Sequence, residues 1–404
     1  MALPIEFFCS ASPYTWLLLD ALASSVDDIR AIVLVDPVTE WREVVIAALA
    51  ANNRVISLQM TNATPQFAKF LPTSDQLVAA GVSYTLMMNQ RDVFDSIRQL
   101  QLLSMEHHVD IAAIILLSEV AVEVSDIIAV GLKLPHNPLD LITARRDKGI
   151  MKQAVASRGL RVAKYSRVKS MDQVLAVMEK LAMSFPVVVK GFLECLPHQL
   201  IVTDMWKYNK NDRARYESAE ICNPKDFLEL VEYAMKVAEA VGVQQGAAHV
   251  ELKATLRQDG TYTDPILIEV GARLSGGRKS TMAQAAIDNW NPFESLILSH
   301  CGSPCPASCG RYLVPQKFVR HVFFPIEKSG PVTEFVFNDS LETLHFSFKL
   351  VKVGDVVAAT TDILSCAGFA WLVGRREQVD HDTAELVHSF DFTTEHSLYD
   401  NRTN

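Results

Sequence analysis

The sequence predicts an α/β protein whose amino-terminal part forms an open parallel sheet. Residues 29–35 and 54–58 are apolar runs of strand length, and residues 40–51 between them have the spacing of an amphipathic helix. Another strand and helix follow within residues 111–130. Because strands that alternate with helices favour a parallel sheet covered by helices, we expect this architecture for roughly the first third of the chain.

Length and composition indicate a folded protein of two or three domains. The chain has 404 residues, of which 49% are hydrophobic and 21% charged. The net charge is −9, the pI is near 5.7, and no run of Lys and Arg could follow a phosphate backbone. These values argue against a nucleic-acid partner and favour small-molecule substrates.

The sequence also predicts a cytoplasmic protein without a membrane segment. The first 24 residues lack a basic region and are interrupted by Glu6 and Asp20, which is not typical of a signal peptide. The apolar stretch 111–130 carries three acids and is too broken to span a bilayer. Seven cysteines without a secretory signal indicate reduced thiols.

One group of metal-ligand residue types lies near the carboxyl-terminal third. His300, Cys301, Cys305 and Cys309 could in principle present ligands at four-residue spacing. Two prolines, two serines and two glycines lie in the same stretch, and zinc sites usually contain tighter cysteine pairs. We therefore expect a flexible connector here.

The pattern changes after residue 140, and two lysines become candidates for phosphate binding. Residues 143–159 have helical spacing and end at a glycine, with Lys148 near the start. The β-branched run 187–189 is typical of a buried strand and leads directly into Lys190. The alternatives are that Lys148 belongs to a solvated face and that Lys190 extends its ammonium to water from a strand end.

Two carboxylates and an arginine are concentrated in residues 249–277, HVELKATLRQDGTYTDPILIEVGARLSGG. Alternating strands separated by a polar turn at 258–260 predict a hairpin that brings Glu251 and Glu269 to one end, with Arg273 just beyond. Mg²⁺ prefers hard oxygen ligands such as paired carboxylates, and a guanidinium can hold a carboxylate or a phosphoryl group. The alternative is a surface hairpin with two unrelated acids.

A dinucleotide-dependent oxidoreductase is a third, disfavoured hypothesis. The amino-terminal 140 residues contain no GxGxxG sequence after a predicted strand. The predicted α/β domain therefore lacks the loop that holds a pyrophosphate in dinucleotide-binding folds.

From about residue 110 to 375 the chain resembles the ATP-grasp carboxylate–amine ligases, closest to the L-amino-acid ligase and dipeptide synthetase branch. The matching elements are SEVAVEVSDIIAVGLKLPHNP, ARRDKGIMKQAVASRGL, FPVVVKG, TDMWKYNK, GAAHVEL and PILIEVGARLSGG. The resemblance implies that Lys148 and Lys190 contact ATP phosphates and that Glu251 and Glu269 bind Mg²⁺, with Mn²⁺ as a substitute. It also implies that Arg273 is a catalytic residue that engages the substrate carboxylate or acyl phosphate.

The chain departs from the family pattern between Lys190 and Glu251. Family members have a glycine-rich loop over the phosphates and an acidic adenine hinge in this interval. Here residues 191–199, GFLECLPHQ, contain one glycine, and Glu194 is their only acid. We therefore expect a shortened ATP lid, with two consequences left open: an impaired ligase, or a non-catalytic relative or truncated form that acts as a binding or regulatory module.

The resemblance also predicts the domain organisation. Residues 1–140 would form the amino-terminal α/β domain, 141–204 the truncated lid region, 205–300 the ATP-grasp core with its metal site, and 301–404 an α+β region on the substrate side. The predicted substrates are an amino acid or other carboxylate and an amine, whose identities the sequence does not specify. A homodimer is compatible with the sequence.

Overall fold

The structure is a computed structural model that describes residues 29–38, 40–60, 68, 70–88, 92–163, 189–196, 199–207, 219–303, 312–360 and 365–394, with backbone alone for 189–196, 199–207 and 219–220. Its strands are β1 Ile29–Val35, β2 Arg54–Met60, β3 Tyr84–Met88, β4 Val109–Leu116, β5 Val189–Leu196, β6 Gln199–Lys207, β7 Ala219–Cys222, β8 Ala248–Leu256, β9 Tyr262–Gly271, β10 Phe318–Phe324, β11 Gly330–Val336, β12 Leu344–Lys349, β13 Val356–Val357, β14 Gly368–Gly374 and β15 Asp391–Thr394. Its α-helices are α1 Trp41–Ala50, α2 Ser74–Ala79, α3 Val93–His107, α4 Val122–Gly131, α5 Lys148–Ser157, α6 Leu228–Ala240, α7 Lys279–Ala286, α8 Pro292–His300 and α9 Arg376–Ser389.

The predicted amino-terminal parallel sheet is confirmed. Its strand order is β3-β2-β1-β4, and all three pairings are parallel. Residues 31–35 of β1 are fully buried, as expected for a strand with helices on both faces. Helices α1 and α8 belong to the core on one face, and α3 and α4 to the core on the other.

A larger antiparallel sheet occupies the centre of the chain. Among the described residues its order is β12-β14-β10-β7-β6-β5-β8-β9. Helix α6 buries an apolar stripe at Val231, Ala234 and Val237 in a core shared with β8 and β9. Helices α7 and α8 pack toward the opposite face of this central sheet. Their buried residues belong to the same core as helix α1 of the amino-terminal unit.

The helix predicted at 143–159 is shorter than expected at its start. Residues 139–145 form a 3-10 helix, and α5 begins only at Lys148. The interruption has a local cause: the Asp147 side chain accepts hydrogen bonds from the backbone N–H groups of Gly149 and Ile150. Such an N-cap residue has extended backbone, so the helix starts one residue later.

The strand that leads into Lys190 continues into the segment 191–199. Residues 191–196 belong to β5, which pairs with both β6 and β8, and only residues 197 and 198 separate β5 from β6. Pairing on both edges satisfies the backbone hydrogen bonds of this segment, and this depends on neighbours that a local pattern does not reveal. The shortened lid remains a prediction, because residues 164–188 and 208–218 lie outside the described residues. The first of these ranges includes 170–183, where a capping-box pattern at 170–173 predicts an amphipathic helix.

The carboxyl-terminal strands extend the central sheet. β10 pairs with β7 and β14, while β11, β13 and β15 form a separate small sheet. Trp371 of β14 lies in the core, since it is 1% exposed. The central sheet therefore contains strands from three of the predicted domains, whose boundaries remain predictions. Across the described ranges, every helix is too short or too polar to cross a bilayer.

Candidate active site

The two glutamates of the predicted metal site lie side by side. Glu251 of β8 is paired directly with Glu269 of β9, and both side chains are half-buried. The register shifts just after this pair, so that Leu252 lies opposite Leu267 and Ile268 is the extra residue of a β-bulge. The bulge places the leucines in the core while the paired glutamates remain accessible together.

Lys148 contacts this pair from helix α5. Its Nζ lies 2.7 Å from Oε2 of Glu269. Lys148 is the first residue of the helix, and the cap at Asp147 fixes that starting point. One turn later, burial lowers the pKa of Lys152, the charge of Lys148 lowers it further, and Glu269 acts in the opposite direction. The carboxylate pair therefore has a concentration of positive charge on one side.

Arg273 is held at the site by a residue from the amino-terminal unit. Its Nε donates to Oε2 of Glu119 at 2.6 Å, and its Nη1 donates to the carbonyl of Leu274 at 2.7 Å. The other oxygen of Glu119 accepts from Nη1 of Arg146 at 3.1 Å. Glu119 thus bridges two guanidinium groups, and Gly271 leaves room for it, because a Cβ there would lie 3.2 Å from Oε2.

Glu119 is positioned by contacts at the carboxyl end of strand β4. The Ser118 hydroxyl caps the short 3-10 helix that starts at Glu119, and it also donates to Oδ2 of Asp36 at 3.4 Å. Asp36 follows β1, the neighbour of β4, and accepts from the backbone N–H of Met60 at 2.8 Å. In an open parallel sheet such adjacent carboxyl ends mark the usual ligand side.

The structure describes only the backbone of Lys190. Position 190 lies in β5 opposite position 206, two residues before position 192, which is paired with Glu251. The strand register therefore brings the Lys190 backbone close to the glutamate pair. Its side chain lies outside the described part of the chain, and its phosphate contact remains a prediction.

The cysteine-containing segment is only partly described. His300 ends helix α8 and Cys301 follows it, whereas Cys305 and Cys309 lie outside the described residues. Burial lowers the pKa of His300 to about 4, so this ring is neutral in the core. Within the described ranges, His, Cys, Asp and Glu side chains form no group of three or more that could hold a metal.

The glutamate pair has the chemistry of a divalent-cation site. Two carboxylates at directly opposed positions repel each other, and Lys148 is placed to offset only part of that repulsion. Mg²⁺ is commonly bound by one or two carboxylates that leave its other positions to water and substrate phosphates. Glu251 and Glu269 fit such an ion, and Lys148 lies where it could contact a phosphate.

Comparison with solved structures identifies the architecture. L-amino acid ligase from Bacillus licheniformis superposes with a TM-score of 0.68 at 16% identity, covering 92% of this chain and 100% of that one. Phosphoribosylglycinamide synthetase from Anaerococcus prevotii gives 0.62 at 11% identity, covering 91% and 100%. N5-carboxyaminoimidazole ribonucleotide synthetase, solved as an ADP complex, gives 0.58 at 12% identity, covering 90% and 97%.

The chain has the ATP-grasp fold. At these identities the similarity concerns the fold alone. No protein-family model matches the chain, and no curated protein matches it in sequence. The expected fold class is thereby confirmed, and within this ATP-grasp chain the central sheet carries both glutamates.

Two residues of this site were absent from the sequence-based prediction. Glu119 and Arg146 both occur in the quoted family-like segments, yet neither was assigned a role. Glu119 lies 154 positions from Arg273 in sequence. A local pattern contains no information about such a contact, although a charged residue directly after a buried strand is a general signal for a binding edge.

Proposed function

We propose that this ATP-grasp chain is an ATP-dependent, Mg²⁺-requiring ligase that joins a carboxylate to an amine through an acyl phosphate. The observation that carries the proposal is the direct pairing of Glu251 with Glu269, together with the ion pair between Lys148 and Glu269. Arg273, just beyond the end of β9, provides the cation that such a reaction needs near the substrate. The fold supports the proposal because the similar structures include two synthetases and an amino acid ligase.

In the proposed reaction each described residue has a separate task. Glu251 and Glu269 bind the metal, whose charge, once bound, offsets that of the ATP phosphates. Lys148 holds a phosphate oxygen at the start of α5. Arg273 orients the substrate carboxylate, whose oxygen attacks the γ-phosphorus while ADP leaves. The amine nitrogen then attacks the acyl carbon, phosphate leaves, and the nitrogen loses a proton.

We infer that the carboxylate substrate is an amino acid. The support is the similarity to the Bacillus licheniformis ligase, which covers the whole of that chain, together with the EVGAR sequence around Arg273. The amine partner is a second small molecule. Neither substrate is specified further by the contacts of the glutamate pair.

A second candidate function is a non-catalytic binding module. It is favoured by one observation: β5 continues beyond Lys190 as far as Leu196 and β6 begins at Gln199, in a stretch that has one glycine. Backbone N–H groups in a glycine-rich loop can approach phosphates without obstruction by a Cβ, and this segment lacks that feature. Weak nucleotide binding without turnover would then be expected.

ADP release separates the two candidates. Purified protein is incubated with Mg-ATP and pooled amino acids, and ADP is measured for the wild type, Glu251→Gln and the control Glu239→Gln on the exposed side of α6. The ligase proposal expects amino-acid-dependent ADP release in the wild type and the control, and none in Glu251→Gln. Absence of release from the wild type would favour the binding module.

A further inference from the structure

The bridge between Arg146, Glu119 and Arg273 contains a second cation that the proposed reaction does not use. Arg273 alone can orient a reacting carboxylate. Arg146 lies on the other oxygen of the same glutamate, with its Nη1 3.1 Å from Oε1, while Nε of Arg273 lies 2.6 Å from Oε2. One carboxylate group is therefore shared by both guanidinium groups, which places them a few ångströms apart.

The position of Arg146 is fixed by its neighbour in the chain. The side chain of Arg145 is fully buried and donates to Asp126 at 2.9 Å and to the carbonyls of Pro138 and Val241. Because consecutive side chains leave the backbone in different directions, the inward anchor at position 145 directs position 146 toward Glu119. Two residues further on, Lys148 contacts Glu269.

Both guanidinium groups retain capacity for another anion. The Arg146 side chain is 35% exposed and that of Arg273 is 23% exposed. Among the described residues, Arg146 contributes one nitrogen to a hydrogen bond and Arg273 contributes two. A guanidinium has five N–H donors, so each group has N–H donors beyond those used in these contacts.

The charges of the cluster are also suited to an anionic ligand. Glu119 compensates one of its two arginines, so the three groups together keep one positive charge. Glu269 and Lys148 compensate each other nearby. A substrate that carries one anionic group for Arg273 and a second for Arg146 would complete this arrangement, since bidentate Arg–carboxylate and Arg–phosphate pairs are strong and directional.

We propose that Arg146 is a substrate-binding residue that recognises a second anionic group on the acid substrate. This inference rests on the proposed ligase function and specifies its substrate class: a carboxylic acid that bears a further carboxylate or a phosphate near the reacting carboxyl group. Glu119 holds both arginines in place for the two anionic groups.

Matched ligand pairs isolate the charge of the second group. L-aspartate and L-asparagine have nearly the same shape, as do L-glutamate and L-glutamine, while O-phospho-L-serine and L-serine test a phosphate. Calorimetric titration without nucleotide measures their binding to the wild type, Arg146→Gln and the control Arg161→Gln. Arg161 is an exposed residue whose guanidinium pairs with Asp264.

We expect the wild type and the control to bind the anionic member of a pair at least about tenfold more tightly, as a charged hydrogen bond provides. Arg146→Gln should abolish that preference without weakening the neutral member. The preferred pair identifies the second group as carboxylate or phosphate. Equal binding within every pair, a preference that survives Arg146→Gln, or no binding of any acid to the wild type would overturn the inference.

A conservative variant keeps the test decisive if the glutamine variant does not fold. Arg146→Lys retains a charge for Glu119 but loses the planar fork, so binding of the anionic member should weaken at least about threefold. Unchanged binding in Arg146→Lys would contradict the inference. ADP release with the same ligands is measured separately: a binding preference without release would refute the ligase proposal alone, whereas release without a preference would refute only this inference.

Discussion

Glu251 and Glu269 occupy directly opposed positions on two antiparallel strands, so two acidic side chains are held together by the backbone ladder itself. The β-bulge beside them keeps their neighbours in the core. Paired like charges lower the stability of an empty site and raise its affinity for a cation. We therefore expect the folded protein to gain stability when a metal binds to this pair.

Replacement of Glu251 by Gln should show separately how the pairing affects stability without metal and how it affects cation binding. Without metal, the variant is expected to melt at the same temperature as the wild type or slightly above it, because a repulsion is removed. With Mg-ATP, the wild type should gain thermal stability and the variant should not. Thermal denaturation with and without Mg-ATP checks this, and an equal gain in both proteins would contradict the metal assignment.

Gly271→Ala should disturb Arg273 through Glu119. The added Cβ would lie 3.2 Å from Oε2 of Glu119, so the bridging carboxylate must move by a few tenths of an ångström. We expect a loss of about 1 kcal/mol in the free energy of unfolding and a fall in turnover of about tenfold. Denaturant unfolding and ADP release measure the two effects.

Gly276→Ala is the matched control for stability, since a Cβ at that position meets no atom within 4 Å. Its free energy of unfolding should stay within about 0.5 kcal/mol of the wild type. If Gly271→Ala were as stable and as active as the wild type, the close approach of Glu119 to Gly271 would contribute neither to stability nor to turnover.

The buried ion pair under the site should be costly to break. Arg145→Met leaves the Asp126 carboxylate buried without its guanidinium partner, and such a change typically costs about 3 kcal/mol or more. The double variant Asp126→Asn with Arg145→Met should recover part of that loss. Urea denaturation of the three proteins tests this, and a single variant as stable as the wild type would contradict it.

Asp36 should make stability depend on pH. Burial raises the pKa of Asp36 to about 6, while hydrogen bonds from Met60 and Ser118 act in the opposite direction. Because the folded-state pKa is above the unfolded value of about 4, this group stabilises the fold fully below pH 4. Its contribution is lost as the pH rises through 6, and the total change is about 3 kcal/mol at most.

Asp36→Asn removes that titration and keeps an acceptor for Met60. The difference in unfolding free energy, variant minus wild type, should therefore increase between pH 4 and pH 6.5 and remain constant above. Chemical denaturation at four pH values measures it. A difference that does not change with pH would show that Asp36 titrates with its ordinary pKa.

Short sequence patterns were sufficient to predict the elements whose structure depends mainly on residues close together in the chain. The parallel sheet follows from apolar runs such as residues 29–35, and the proximity of Glu251 to Glu269 follows from a hairpin with a polar turn. The helix start was misplaced by five residues because the cap at Asp147 overrides the apolar periodicity around it.

Long-range contacts were not accessible in the same way. Residues 191–196 form a strand because β6 and β8 pair with it on both sides, and the bridge from Glu119 to Arg273 joins residues that follow strands of two separate sheets. Neither relationship has a signature at short sequence distance. The composition of a segment limits which secondary structures it can adopt, and the strands that pair with it determine which of these it adopts.

Calorimetric titration of Mg-ATP into the wild type and Glu269→Gln measures whether ATP binds at the glutamate pair. We expect saturable binding to the wild type at millimolar concentration or tighter, and loss of that binding in the variant, which removes both a metal ligand and the partner of Lys148. Undetectable binding to the wild type, or equal binding to both proteins, would contradict an ATP site at the glutamate pair.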